Sequence, residues 1–264
     1  MATIRCPLNE AATVAPQEAF CYDGLRRHTD FETEGRVQDL KSRLVDSGLK
    51  EGQRLAVCLP NSYEMVVLLF AAWRCGASVL LISPRLPLSE RAWQAESVGV
   101  DLQIGLDIEE PDVGSVGGVL QDLNGNAAEI KAPEYDLNRE CTVVFTSGSS
   151  ARPKAAVLPF RTHYYSARGA NRAHKIGRGD IWLVSLPLVH VGGLGIVFRS
   201  VMAGGGLAFP APGEPLAEEI SLFNVTHVSV VPTQLRRMLD SSDVEDLADQ
   251  LKVILLGGAP AEDG

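Results

Sequence analysis

The sequence predicts an α/β protein with mostly parallel sheets covered by helices, arranged as two lobes that meet near residue 180. Three observations predict it. Short apolar runs alternate with amphipathic stretches from residue 34 onward, the order that builds strand–helix–strand units. Gly, Pro and Asn punctuate the junctions between them. A second series of the same kind restarts just after residue 180.

The elements follow in order. Residues 54–59 read as a buried strand ended by Pro60 and Asn61. Asn61 and Ser62 can cap a helix running through Cys75, with Gly76 where a left-handed residue is favoured. Met65, Leu68, Leu69 and Ala72 share one face of that helix. Residues 78–82 form a strand, 88–98 a helix and 102–104 a short strand. Residues 109–133, rich in Gly, Asp, Asn and Pro, form an irregular connection with at most one short strand at Val119 and Leu120. Regular structure resumes with a strand at 141–146, a helix at 162–175 and a turn at 177–180. The second series is strand 181–186, helix 194–203, strand 207–209, helix 215–223, strand 227–231, helix 233–239 and strand 253–256. Residues 1–180 thus make the first lobe and 181–264 the second, incomplete one, with residues 1–50 free to pack with the second.

At 264 residues the chain can bury a large core, and its 45% hydrophobic and 22% charged content is that of an ordinary globular protein. A net charge of −9 argues against nucleic acid or an anionic membrane surface as partner. Cys6, Cys21, Cys58, Cys75 and Cys141 are odd in number, widely spaced and free of any C-x-x-C pair, which suits a reducing cytoplasm. No basic segment followed by an apolar run marks a signal peptide at residues 1–10. The most apolar stretch, residues 65–73, falls short of the roughly 20 residues a bilayer requires, so no membrane insertion is expected. A homo-oligomer through the helices around Met65 or Leu194 is compatible with the pattern.

The chemistry concentrates in Thr146-Ser147-Gly148-Ser149-Ser150-Ala151-Arg152-Pro153-Lys154. This run leaves a strand at its C-terminal end, where α/β proteins bind ligands. Its hydroxyls, glycine and two cations can direct O–H, N–H and charged donors at a polyphosphate. It is not a Walker A loop, since no G-K-[ST] follows Gly148. On composition alone a solvated serine-rich turn is the commoner outcome; the order of the residues is what separates the two. That order resembles the phosphate-loop signature of the adenylate-forming enzymes, which include acyl-CoA ligases, luciferases and peptide-synthetase adenylation domains. Ser150 keeps the hydroxyl of the family's threonine, whereas Ala151 replaces its glycine and is expected to stiffen the loop.

The resemblance implies the large N-terminal domain of the adenylate-forming fold with its C-terminal domain absent. It assigns Thr146, Ser147, Gly148, Ser149, Ser150 and Lys154 to the phosphates of ATP. Two further segments match in the family's order. Residues 185–194 resemble the stretch that lines the acyl pocket, which implies His190, Gly192 and Gly193 as pocket residues. Gly257, Gly258, Ala259 and Pro260 resemble the stretch laid against the adenine and the acyl group, where a missing Cβ lets a flat ring approach the backbone. Together these matches span residues 34–264.

Within the family, residues 190–204 and 226–235 resemble the ligases whose acid is o-succinylbenzoate, which act in menaquinone biosynthesis. Arg199 lies in an otherwise apolar helix, where a buried cation needs a partner. That acid has two carboxylates, one activated and one held, and an arginine fork suits the held one. A surface position or an internal salt bridge is the alternative for Arg199. Ser229, Pro232, Thr233 and Gln234 either line the pocket or end a strand and cap the next helix. His163 and His227 are expected to be structural or exposed.

By the same resemblance the substrates are o-succinylbenzoate, ATP and coenzyme A, with Mg²⁺. The catalytic lysine and the magnesium-binding acid of the family fall beyond residue 264, so neither is assigned, and the chain alone is expected to have little ligase activity. Lys154 belongs to the phosphate loop and is not that lysine. A ligase for another aryl or fatty acid and a non-catalytic nucleotide- or acyl-binding remnant are the rival readings. No G-x-G-x-x-G follows an early strand, which argues against a dinucleotide-binding oxidoreductase.

Overall fold

The computed structural model describes residues 2–106, 133–146, 152–241 and 244–258. The chain opens with β1 (Thr3–Arg5) and α1 (Pro7–Val14), in which Pro7 takes a first-turn position that needs no N–H. A hairpin of β2 (Ala19–Asp23) and β3 (Arg26–Thr29) leads into α2 (Asp30–Asp46). A capping box starts that helix: Thr29 Oγ1 accepts from the Glu32 N–H while the Glu32 carboxylate accepts from the Thr29 N–H. Next come β4 (Arg54–Val57), α3 (Tyr63–Arg74), β5 (Ser78–Leu81), α4 (Leu88–Val98) and β6 (Leu102–Ile104). Then follow β7 (Glu134–Asp136), β8 (Glu140–Thr146), β9 (Lys154–Pro159) and α5 (Phe160–His174). The remainder is β10 (Ile181–Leu183), α6 (Val191–Ala203), β11 (Gly206–Phe209), α7 (Leu216–Leu222), β12 (His227–Val230), α8 (Pro232–Leu239), α9 (Val244–Gln250) and β13 (Val253–Leu256).

The strands form a five-stranded sheet in the order β6-β4-β5-β8-β9, a six-stranded sheet in the order β13-β12-β10-β11-β2-β3, and a small β1-β7 ribbon. In the two large sheets every neighbouring pair is parallel except the hairpins β8/β9 and β2/β3. Residues 19–29 therefore extend the sheet built mainly from residues 181–256.

Side-chain alternation along these strands sets up the layers. Leu55 and Val57 of β4, and Val79 and Leu81 of β5, join one large core together with Trp182, Leu207 and Phe209 from the other sheet. The opposite faces, Ala56 and Leu80 in one sheet and Leu183, Ala208 and Val228 in the other, join separate outer cores. Both faces of each sheet are thus covered, as parallel sheets require. Helix α3 lies between the two sheets, and every residue from Met65 to Trp73 is buried. That explains a helix apolar on all sides. Among the described residues no helix is long and apolar enough to cross a membrane.

Several expected bounds shift. Helix α4 and strand β6 occupy the predicted residues, but the strands expected at 54–59 and 181–186 end at Val57 and Leu183. The helix expected at 194–203 begins at Val191, and that expected at 162–175 begins at Phe160. Ser62 alone caps α3, its hydroxyl accepting from the Met65 N–H at 3.2 Å, while Asn61 points elsewhere. None of the elements before β4 was predicted, nor were β7, β9 and α9. Val119 and Leu120 lie outside the described residues.

Candidate functional site

The segments that carry the candidate residues all leave C-terminal ends of parallel strands: Asn61 after β4, Thr146 at the end of β8, residues 185–190 after β10, residues 231–234 after β12 and Gly257 after β13. In doubly wound sheets this is the end at which ligands bind.

Thr146 and Lys154 are paired in the β8/β9 ladder, and Thr146 Oγ1 donates to the Lys154 carbonyl at 3.3 Å. Both residues are exposed. Beside them the Arg152 guanidinium sits over Trp93 of α4, 5.4 Å from its centroid, and Trp93 in turn meets the Phe145 ring at 5.6 Å. The sheet and this aromatic contact therefore position Thr146, Arg152 and Lys154 near the two ends of the motif. Ser147, Gly148, Ser149, Ser150 and Ala151 lie outside the described residues.

The stretch from Ser185 to Gly193 turns sharply away from the sheet and is held from several sides. Asn61 Nδ2 donates to the Leu186 carbonyl at 2.9 Å, and Asn61 Oδ1 accepts from the Leu188 N–H at 2.9 Å. Gln234 Nε2 donates to the Ser185 carbonyl at 3.3 Å, and the Ser185 hydroxyl donates to the Ser229 carbonyl. Gly193 is buried, and a Cβ there would stand 2.2 Å from the Pro187 oxygen, so only glycine lets α6 approach this backbone. At Gly192 the nearest atom to such a Cβ is Leu186 Cδ1 at 3.4 Å, an ordinary contact. His190 is the N-cap residue of α6 and is exposed.

Arg199 lies one turn beyond Gly195 on α6. Side chains on a helix lean toward its N-terminus, and the Arg199 guanidinium accordingly covers Gly195, where a Cβ would be 3.1 Å from Nη2. Its guanidinium carbon is 5.6 Å from the centroid of the buried Trp182 ring. Arg199 Nε is buried without a hydrogen-bond partner, and among the described residues no carboxylate forms an ion pair with Arg199. Burial lowers its pKa from the usual value, yet a guanidinium remains charged at neutral pH. Asn171 of α5 donates to the Arg199 carbonyl at 2.9 Å.

Other polar groups around Trp182 are hydrogen-bonded. Trp182 Nε1 donates to Ser229 Oγ at 3.2 Å, and His227 engages Thr226 Oγ1 at 2.8 Å and the His174 carbonyl at 3.1 Å. His227 is therefore a buried structural residue. His163 is one too: it stands 2.7 Å from Thr142 Oγ1, stacks on Phe198 at 4.5 Å, and burial pushes its pKa down to about 4. His163 also lines a cavity of 70 Å³ between α5 and α6, with Thr162, Val191, Gly195 and Phe198. Pro232 opens α8, and Gln234 accepts from the Val231 N–H at 3.0 Å, so the strand-ending, capping role holds for these two. At the end of β13, Gly257 donates to the Val230 carbonyl at 3.0 Å and Gly258 adopts a φ of 94°. Both are exposed; Ala259 and Pro260 lie outside the described residues.

Asn61, read from the sequence only as a helix cap, and Trp182 and Gly195 were not singled out as site residues, because their importance lies in partners far along the chain or one helical turn away. Among the described residues no group of three His, Cys, Asp or Glu side chains can hold a metal, so no magnesium ligand is assigned.

A family profile described as AMP-binding enzyme matches residues 8–264. The chain is 31% identical over 270 residues to the 2-succinylbenzoate–CoA ligase of Geobacillus kaustophilus (strain HTA426), covering 99% of this chain and 54% of that protein. Among solved structures, wild-type E. coli MenE with a bound m phenylether-linked analogue of OSB-AMS superposes with a TM-score of 0.76 at 29% identity, covering 97% of this chain and 55% of the other. O-succinylbenzoate coenzyme A synthetase from Bacillus subtilis in complex with AMP gives a TM-score of 0.85 at 25% identity, covering 98% and 69%. The chain spans about half the length of the curated relatives it matches.

Proposed function

The chain belongs to the AMP-binding enzyme family, and from that premise we propose that it is the substrate-binding part of an AMP-forming ligase joining o-succinylbenzoate to coenzyme A, a step of menaquinone biosynthesis. The observation that carries the choice of acid is Arg199, a half-buried cation against Trp182 with no carboxylate partner among the described residues. Its environment calls for an anion, and the spare carboxylate of a dicarboxylic acid supplies one. A fatty acid would leave this guanidinium unpaired.

The chemistry runs in two steps. The succinyl carboxylate oxygen attacks the α-phosphorus of ATP, forming the acyl-adenylate and releasing pyrophosphate. The coenzyme A thiol then attacks the acyl carbon, loses its proton and displaces AMP, leaving the thioester. In the first step two anions must meet, so positioning and charge neutralisation dominate. On this reading Thr146, Ser147, Gly148, Ser149, Ser150 and Lys154 bind the ATP phosphates. The segment bearing His190, Gly192 and Gly193 walls the acid site with Arg199 beneath it, and Gly257 and Gly258, followed by Ala259 and Pro260, lie against the adenine. Magnesium would neutralise phosphate charge; the described residues supply no cluster for it. The five free cysteines suit a reducing compartment, and we place the protein in the cytoplasm.

Calorimetric titration of the purified chain with ATP and, separately, with o-succinylbenzoate tests this. Saturable binding of both is expected. Binding of ATP with no response to o-succinylbenzoate, but a response to benzoate or a fatty acid, would redirect the substrate; binding of neither would leave a remnant.

A further inference from the structure

We infer that Asn61 is a positioning residue for the acid site: through one side-chain amide it sets the segment leaving β10 relative to the sheet that carries the phosphate-loop motif. The inference rests on the reading above that residues 185–193 wall the acid site.

The geometry is specific. Asn61 Nδ2 donates to the Leu186 carbonyl and Oδ1 accepts from the Leu188 N–H, both at 2.9 Å. Because one facing group is an acceptor and the other a donor, the orientation of the amide is dictated by its partners. The two bonds imitate a rung of a β-ladder across residues that are 125 and 127 apart in sequence. Leu188 is buried, so freeing its N–H would leave a buried donor unsatisfied. Asn61 does not cap α3, since Ser62 fills that role, and its side chain is therefore committed to this bridge.

Among the described residues, the segment's other hydrogen bonds come from its own side of the molecule. Gln234 and the Ser229 carbonyl belong to α8 and β12, elements of or next to the six-stranded sheet. Gly193 seats α6 against Pro187 from within the same stretch. Asn61 follows β4 of the five-stranded sheet, which also holds Thr146 and Lys154. The bridge thus runs between the part proposed to hold phosphate and the part proposed to hold the acid. Reacting atoms must come within roughly 3–3.5 Å, and a displacement of about 1 Å can cost on the order of 100-fold in rate, so such a bridge bears directly on function.

The variant that tests it is Asn61→Asp. An ionised carboxylate cannot donate to the Leu186 carbonyl and repels it; a protonated carboxyl restores one donor and one acceptor. The defect should then depend on pH, which a simple packing role would not produce. Wild type, Asn61→Ala and Asn61→Asp are titrated with o-succinylbenzoate and with ATP at about pH 4.5 and about pH 8; an aspartate ordinarily titrates at about 3.9, and partial burial beside the Leu186 carbonyl raises it into reach of the lower value. Backbone hydrogen exchange over residues 185–190 is measured in parallel.

Asn61→Ala is expected to lose about tenfold or more in acid affinity, while ATP affinity stays within about twofold. Asn61→Asp is expected to match that loss at the higher pH and to return toward wild type at the lower, each compared with wild type at the same pH. Exchange at Leu188 should quicken in Asn61→Ala with the core strands unchanged. Wild-type acid affinity in Asn61→Ala, parallel losses for both ligands, or a pH-independent Asn61→Asp defect would overturn the inference. If the wild-type chain binds no o-succinylbenzoate, the acid-site reading fails on its own. The bridge is then judged on exchange alone: faster exchange at Leu188 upholds it and unchanged exchange overturns it.

Discussion

The Arg199 guanidinium lies over the face of Trp182, its central carbon 5.6 Å from the ring centroid, in space that Gly195 leaves open one turn earlier on α6. Three features of the chain meet in this contact. The N-terminal lean of helical side chains carries the arginine back over position 195, a glycine there admits it, and an aromatic face supports its charge. No carboxylate among the described residues neutralises it.

Replacing the cation should separate binding from folding. Arg199→Leu is expected to weaken o-succinylbenzoate binding about 10- to 100-fold, the worth of a charge-assisted bidentate contact, while benzoate binding changes little. Arg199→Lys should recover only part, since an ammonium lacks the planar fork. Thermal unfolding should show the leucine variant no less stable than wild type, because a half-buried charge with no carboxylate partner among the described residues has been removed. Calorimetry on the three proteins checks this.

Two adjacent glycines should respond differently to one methyl group. Gly193→Ala would drive a Cβ to 2.2 Å from the Pro187 oxygen, which is backbone and cannot swing aside. A loss of about 1–3 kcal/mol is expected from such overpacking. Gly192→Ala meets only Leu186 Cδ1 at 3.4 Å and should stay within about 0.5 kcal/mol of wild type. Urea midpoints for the pair read the difference.

If Lys154 binds the ATP phosphates as proposed, removing its charge should affect nucleotide and not acid. Lys154 is exposed at the first position of β9, so Lys154→Ala should leave stability nearly unchanged. Its expected effect is a loss of about tenfold or more in ATP affinity, with o-succinylbenzoate affinity unaltered. Titration with each ligand tests both halves.

Acid should destabilise the fold through its buried histidines. Burial lowers His163 and His28 to about 4 from an ordinary 6.5, so between those values the unfolded chain binds two protons that the folded chain refuses. Stability then falls as pH drops through that window. Asp30 acts in the opposite sense: burial, aided by Glu18, raises it to about 6, so the folded state holds a proton that the unfolded state has released. That contribution is present at low pH and is lost as pH rises through about 6. Two protons against one leave a slope of about 1.4 kcal/mol per pH unit between pH 4 and 6 from these three groups. Asp30→Asn should steepen the stability–pH curve and His163→Gln should flatten it. Curves that superimpose on wild type would show that these groups do not govern acid stability.

What could be read from the chain in advance depended on how local each signal was. Helix α4 lies between Pro87 and Gly99, the latter left-handed with φ 63°, and such punctuation is visible residue by residue. The β2–β3 hairpin was not visible: Phe20 and Cys21 are its only fully buried apolar residues, and Cys21 pairs with Leu207 from the far end of the chain. Arg199 stood out because a charge in an apolar helix is anomalous wherever it occurs. Asn61 did not, because an asparagine before a helix reads as a cap, and only the folded chain brings Leu186 and Leu188 to its amide. His163 could be read as structural or exposed, and its burial against Thr142 and Phe198 depends on how α5 seats on β8 and α6.

The most direct measurement compares the affinity of wild type and Arg199→Leu for o-succinylbenzoate and for benzoate by calorimetry at neutral pH. A dicarboxylate held by Arg199 gives a wild-type preference for o-succinylbenzoate that collapses by about 10-fold or more in the variant. An o-succinylbenzoate affinity that is the same in both proteins, or a wild type that prefers benzoate, would contradict it.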